Sequence, residues 1–102
     1  MTVFVLPQNS PVRLTLHLRI HGRVQGVFFR ESMRVQADSL GISGWVRNRA
    51  DGTVEAVIQG EPRSIEKMFT WTRRGPERAQ VARVDTETAA GEFSGFEKRQ
   101  TN

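Results

Sequence analysis

Gly22-Arg23-Val24-Gln25-Gly26-Val27-Phe28-Phe29-Arg30 is the stretch on which the fold of this chain turns. Before it, Leu14, Leu16, Leu18 and Ile20 alternate with Thr15, His17, Arg19 and His21, the period of a half-buried strand. After it, Phe29, Met33, Gln36, Ala37 and Leu40 recur at three- and four-residue steps. That spacing is one face of a helix, and Gly41 closes it as a C-terminal cap. The nine residues therefore turn a strand into a helix and end in an arginine of its first turn. Such a turn can aim free backbone N–H groups and a two-pronged guanidinium at one small anion. On the loop's own chemistry two readings stand: an ordinary strand–helix connection, or a phosphate cradle.

Ile42 to Arg49 and Thr53 to Gln59 read as strands joined by Ala50-Asp51-Gly52, because an Asp-Gly pair supplies the positive φ of a hairpin turn. In the second run Val54, Ala56 and Ile58 alternate with Thr53, Glu55, Val57 and Gln59. Gly60-Glu61-Pro62 opens a second helix, where proline is tolerated in the first turn. Ile65, Met68, Phe69 and Thr72 form its apolar stripe, and Arg74-Gly75-Pro76 stops it. A fourth strand is expected between Ala79 and Thr86; Val81 and Val84 are three apart, which predicts a bulge or an irregular edge. Phe93 to Lys98 is a candidate extra strand. The order β-α-β-β-α-β predicts an α+β, ferredoxin-like sandwich. Its antiparallel sheet carries two helices on one face and turns the other toward water. The chain divides into a flexible N-terminal arm over residues 1–12, one domain over 13–99 and a polar tail over 100–102.

Composition narrows the function. A chain of 102 residues suffices for one domain with a working core. The absence of cysteine excludes disulfides, thiolate metal sites and cysteine nucleophiles. With two histidines a histidine-rich zinc site is not expected, so neither metal nor cofactor is called for. His17 and His21 fall on the polar side of their strand and read as exposed strand residues. No apolar run approaches a membrane span or a signal-peptide core, and a soluble, cytoplasmic protein is expected. The net charge of +4 rests almost wholly on arginine, with Lys67 and Lys98 the only lysines. Positive excess suggests an anionic partner, but the arginines spread from Arg13 to Arg99 and form no nucleic-acid patch. An RNA-binding domain of the same element order would stack bases on aromatics in its central strands. Leu14–His21 and Thr53–Gln59 hold no Phe, Tyr or Trp.

A second constellation is Gly44-Trp45-Val46-Arg47-Asn48. Asn48 reads either as a turn former or as a neutral group that holds water or substrate, and Trp45 as a core or sheet-face aromatic. Taken in order, the two stretches resemble the acylphosphatase family. Gly22 to Arg30 is similar to its first signature, and Gly44 to Asn48, with Asp51-Gly52 and Val54-Glu55, to its second. Gly75-Pro76, followed by Ala79 and Val81, resembles the family's stretch before the fourth strand.

The resemblance implies a small ferredoxin-like hydrolase that cleaves carboxyl-phosphate anhydrides to a carboxylate and inorganic phosphate. It implies that the loop of Arg23, Val24, Gln25, Gly26, Val27 and Phe28 binds the phosphate together with Arg30, while Asn48 orients the attacking water. The partner is then a small acyl phosphate, and a monomer is expected. The alternative is an accessory module that keeps the fold and binds an anion without turnover; the presence of both Arg30 and Asn48 favours hydrolysis. An acyl phosphate has a good leaving group, so positioning and charge stabilisation suffice without a metal. Asn48 is no base at neutral pH. The proton is therefore expected to pass to a phosphate oxygen, unless folding brings a carboxylate to the site.

Overall fold

The computed structural model describes residues 13–102, and the arm expected over residues 1–12 lies outside the described residues. Along the chain run β1 (Leu14–Arg23), α1 (Phe29–Leu40), β2 (Ser43–Asn48), β3 (Val54–Gly60), α2 (Pro62–Arg74), β4 (Gln80–Thr88) and β5 (Phe96–Lys98). The strands form one sheet in the order β4-β1-β3-β2-β5. β1 lies antiparallel to both β3 and β4, and β2 antiparallel to β3. The expected antiparallel sheet thus holds through four strands, while β5 adds to β2 in parallel and makes the whole sheet mixed.

Each helix buries the stripe its spacing predicts. Phe29, Met33 and Ala37 of α1 and Ile65, Met68 and Thr72 of α2 are buried, and Leu40 and Phe69 pack at the margin of the same core. They meet Leu18, Ile20, Val46, Val54, Ala56 and Ile58 from one face of the sheet. Phe29 and Trp71 join the two helices edge to face, with ring centroids 5.4 Å apart. Gly41 ends α1 in the left-handed conformation, its N–H bonding back to the last turn.

The irregularity expected in β4 is a bulge. His21 pairs with Arg83 but Gly22 with Val81, so Ala82 is left over and the strand shifts by one residue. Val81 and Val84 both pack against the core as a result.

β3 departs from simple alternation. Val54, Ala56 and Ile58 are fully buried as expected, but so nearly are Glu55, Val57 and Gln59. The sheet order explains this: β3 is the central strand, and long side chains from β1 and β2 lie across its second face. There Glu55 meets His17 at 2.6 Å and Arg47 at 2.7 Å, and Gln59 donates to Thr15 Oγ1 and to the carbonyl of Gly91. The face toward water is therefore roofed by a polar lattice. No helix among the described residues is long and apolar enough to cross a membrane.

Candidate active site

The loop between β1 and α1 begins at Gly22, whose φ is 126° and whose missing Cβ lets the backbone of β4 at Gln80 close against it. Val24 and Val27 then drop into the core and pin the loop from below. Phe28 stands at the helix start with φ 63° and ψ 26°. It is the one non-glycine residue with positive φ among the described residues, a conformation that costs roughly 1–2 kcal/mol for an L side chain. No side chain caps α1, and its first bond runs from the Ser32 N–H to the Phe28 carbonyl at 3.0 Å. Among the described residues, no backbone N–H from Gln25 to Phe28 donates to a backbone acceptor outside regular structure. A run of N–H groups so left without backbone partners among the described residues, at the positive end of a helix, is suited to an anion.

Asn48 ends β2, just before the hairpin turn. The turn satisfies itself: the Arg49 N–H donates to Thr53 O at 2.8 Å and the Gly52 N–H to Arg49 O at 3.1 Å. Asp51 Oδ1 accepts from the Thr53 hydroxyl at 2.6 Å and from the Thr53 N–H at 3.0 Å. Those bonds, the hydroxyl first, hold the Asp51 carboxyl below its ordinary range. Gln25 fastens the loop to this turn. Its Nε2 donates to the carbonyls of Arg49 and Thr53, both at 2.8 Å, and so bridges the two ends of the hairpin connection.

A pocket of about 450 Å³ opens where loop, helix and hairpin meet. Of the residues singled out in the sequence, Val24, Gly26, Phe28, Arg30 and Asn48 line it. Arg23, Gln25 and Val27 lie outside its lining: Arg23 is an exposed residue at the end of β1, Gln25 is the hairpin tether, and Val27 belongs to the core. Phe29, Glu31 and Lys98 complete the lining. Glu31 was within sight in the sequence, one residue after Arg30. Lys98 was not, because only the parallel pairing of β5 with β2 carries it there.

The guanidinium of Arg30 has no carboxylate partner among the described residues; its Nη1 donates to the carbonyl of Arg99 at 3.0 Å. The segment after β5 continues along β2, with the Arg99 N–H on Val46 O at 2.8 Å and the Asn102 N–H on Asn48 O at 3.2 Å. Residues 99–102 thus touch both arms of the pocket. Glu31 is the one side-chain carboxylate that lines the pocket among the described residues. Arg34 binds it through Nη2 at 2.7 Å and Nε at 3.1 Å, and Lys98 approaches at 3.4 Å. The Arg34 hydrogen bond above all lowers its pKa to about 2. It is ionised, engaged and a weak base at neutral pH.

A family model described as acylphosphatase matches residues 16–98, a span that contains the loop, the hairpin and β5. An acylphosphatase of Thiobacillus denitrificans is 59% identical over 85 residues, covering 83% of this chain and 96% of the relative. A solved acylphosphatase of Coxiella burnetii superposes with a TM-score of 0.82 at 41% identity, over 85% of this chain and 93% of that one. Full-length HypF, at 20% identity and a TM-score of 0.84, shares the fold; the match covers 93% of this chain but 13% of that much longer one.

Proposed function

The chain belongs to the acylphosphatase family, and we propose that the pocket between α1 and the β2–β3 hairpin is where it hydrolyses its small acyl phosphate substrate. One observation carries the assignment: Arg30 and Asn48, from two separate motifs, line a single pocket together with Gly26 of the loop. In this reading the phosphoryl oxygens rest on the amides between Gln25 and Phe28, with the helix start behind them. Arg30 adds a planar, permanently charged donor pair. The Asn48 side-chain amide holds a water in line with the scissile bond. The water oxygen bonds to phosphorus as the bond from phosphorus to the bridging oxygen breaks, and the carboxylate leaves with that electron pair. One water proton passes to a phosphate oxygen. Glu31 is near enough to be considered as the acceptor, but its low pKa and its bonds to Arg34 and Lys98 make it a poor base.

Backbone amides and one guanidinium supply the charge that an acyl phosphate needs, so the mechanism assigns no role to a metal. The same reading makes the enzyme a cytoplasmic monomer without a nucleic-acid partner. In support of the last point, the central strands β1 and β3 carry no Phe, Tyr or Trp. The ring of Trp45 on β2 is already engaged by the guanidinium groups of Arg47 and Arg99, at 5.0 and 4.8 Å.

The test is release of phosphate from benzoyl phosphate, by wild type and Asn48→Ala in parallel, with and without a chelator. Wild type should turn over in the chelator, and Asn48→Ala should lose about 100- to 1000-fold while staying folded. A wild-type rate no higher than buffer would remove the hydrolase reading in favour of a non-catalytic anion-binding module. Wild-type turnover in Asn48→Ala would move the site elsewhere, and loss in chelator reversed by a divalent ion would refute the metal-free mechanism.

A further inference from the structure

We propose that the Phe28 ring is the platform for the acyl group, making the enzyme selective for acyl phosphates with aromatic or bulky apolar acyl groups; the inference rests on the acylphosphatase reading of the same pocket. Phe28 lines the pocket and yet is 77% exposed. Its chain neighbours behave oppositely, Val27 and Phe29 being 4% and 2% exposed. Nothing local favours phenylalanine here. The left-handed backbone suits glycine, the ring packs into no core, and a phosphate needs only the backbone amide of this residue. A large apolar side chain in that position therefore has surface to offer a ligand.

The chemistry of the pocket mouth identifies which part of the ligand. With the phosphoryl group on the loop amides and Arg30, the acyl carbon lies one bridging oxygen away from phosphorus. The acyl group must then rest on whatever borders the phosphate position. Arg30, Glu31, Asn48 and Lys98 are charged or polar, and Val24 and Phe29 are buried beneath the surface. Phe28 is the apolar surface that remains. An aryl group against it removes apolar area of both rings from water and stacks, whereas an acetyl group has little area to gain.

The experiment measures kcat/KM for benzoyl phosphate and acetyl phosphate in wild type, Phe28→Leu and Phe28→Ala. Both variants keep a Cβ and so keep the backbone strain. Intrinsic reactivity of the two substrates cancels when each variant's benzoyl/acetyl ratio is divided by that of wild type. The ratio should fall about tenfold in Phe28→Ala and less in Phe28→Leu, mainly through KM for benzoyl phosphate. Damage to the phosphate loop lowers both substrates together, so an unmoved ratio overturns the proposal. Where Phe28→Ala has too little activity to assay, calorimetry with phosphonates bearing the same two acyl groups replaces kinetics. Loss of the benzoyl preference in binding then supports the proposal, and its retention overturns it. Wild type that hydrolyses neither substrate is a different result, since it removes the acylphosphatase reading itself.

Discussion

On the open face of the sheet, Glu55 is shared among His17, Arg47 and Arg49, His21 lies 2.9 Å from Asp85, and Arg19 reaches Asp51 at 3.3 Å. At the start of α1, by contrast, Arg30 finds one carbonyl and no carboxylate among the described residues, and the loop amides find no backbone partner among them. Both regions are rich in charge, and they use it oppositely. Where partners lie across neighbouring strands, charge is spent on holding the sheet together. Where partners are withheld, the same kind of group remains for a ligand. Among the described residues the open face has a single exception, Arg19 Nε, which is buried without a hydrogen-bond partner there.

The contrast is most sharply tested at Arg30. Arg30→Ala should lower kcat/KM by about a thousandfold while leaving the melting temperature nearly unchanged, because no ion pair among the described residues is broken. Arg30→Lys should recover little of the activity, since a point charge does not reproduce the two-pronged contact. Turnover near wild type in either variant would end the distinction between the two regions.

Gln25 stands between them, a polar side chain whose bonds join the unsatisfied loop to the satisfied hairpin. Gln25→Ala should reduce kcat roughly 10- to 100-fold by loosening Asn48 relative to the phosphate. Phosphate itself should bind almost as before, as titration with inorganic phosphate would read. A loss of phosphate affinity equal to the loss of kcat would place the Gln25 side chain in the cradle rather than in the tether.

The smallest effect is expected on the open face. Burial pushes the Glu55 carboxyl up, but hydrogen bonds from His17 and Arg47 outweigh it and hold the pKa below its ordinary value of 4.5. A carboxyl so depressed contributes stability that is complete above the unfolded-state pKa and is lost as pH falls through the folded one. Glu55→Gln should therefore cost about 1–2 kcal/mol near neutral pH and flatten the acid limb of the stability curve. Glu31, Asp51 and Asp85, also depressed, keep part of that limb. Urea melts at neutral and acid pH measure the difference, and kcat on benzoyl phosphate should not move. An unchanged acid limb would mean that the lattice over β3 contributes nothing measurable to the fold.

Much of this architecture could be read locally. Apolar steps of two and of three or four placed four strands and two helices, and Gly41, Gly75 and Asp51-Gly52 marked their ends because each meets a backbone demand within a few residues. Even the bulge at Ala82 showed as a phase slip between Val81 and Val84. Arg30 and Asn48 were legible through a different signal, the likeness of two ordered motifs. The left-handed turn at Phe28 was not legible, since phenylalanine carries no preference for it and only the burial of Val27 and Phe29 on either side enforces it. Gln25 was visible as part of the loop, but its attachment to Arg49 and Thr53 was not.

By itself, then, the sequence determined the elements, their caps and the two motifs, because these depend on periodicity and on backbone preferences that act over a few residues. Tertiary structure alone decided that β3 is central and buried on both faces, that β5 joins in parallel, and that Glu31 and Lys98 stand beside Arg30 and Asn48. It also decided that residues 99–102 continue alongside β2 in the same direction to reach both halves of the pocket. Strand order and cross-sheet neighbours are set by how whole apolar faces fit one another, and no short stretch of residues encodes them.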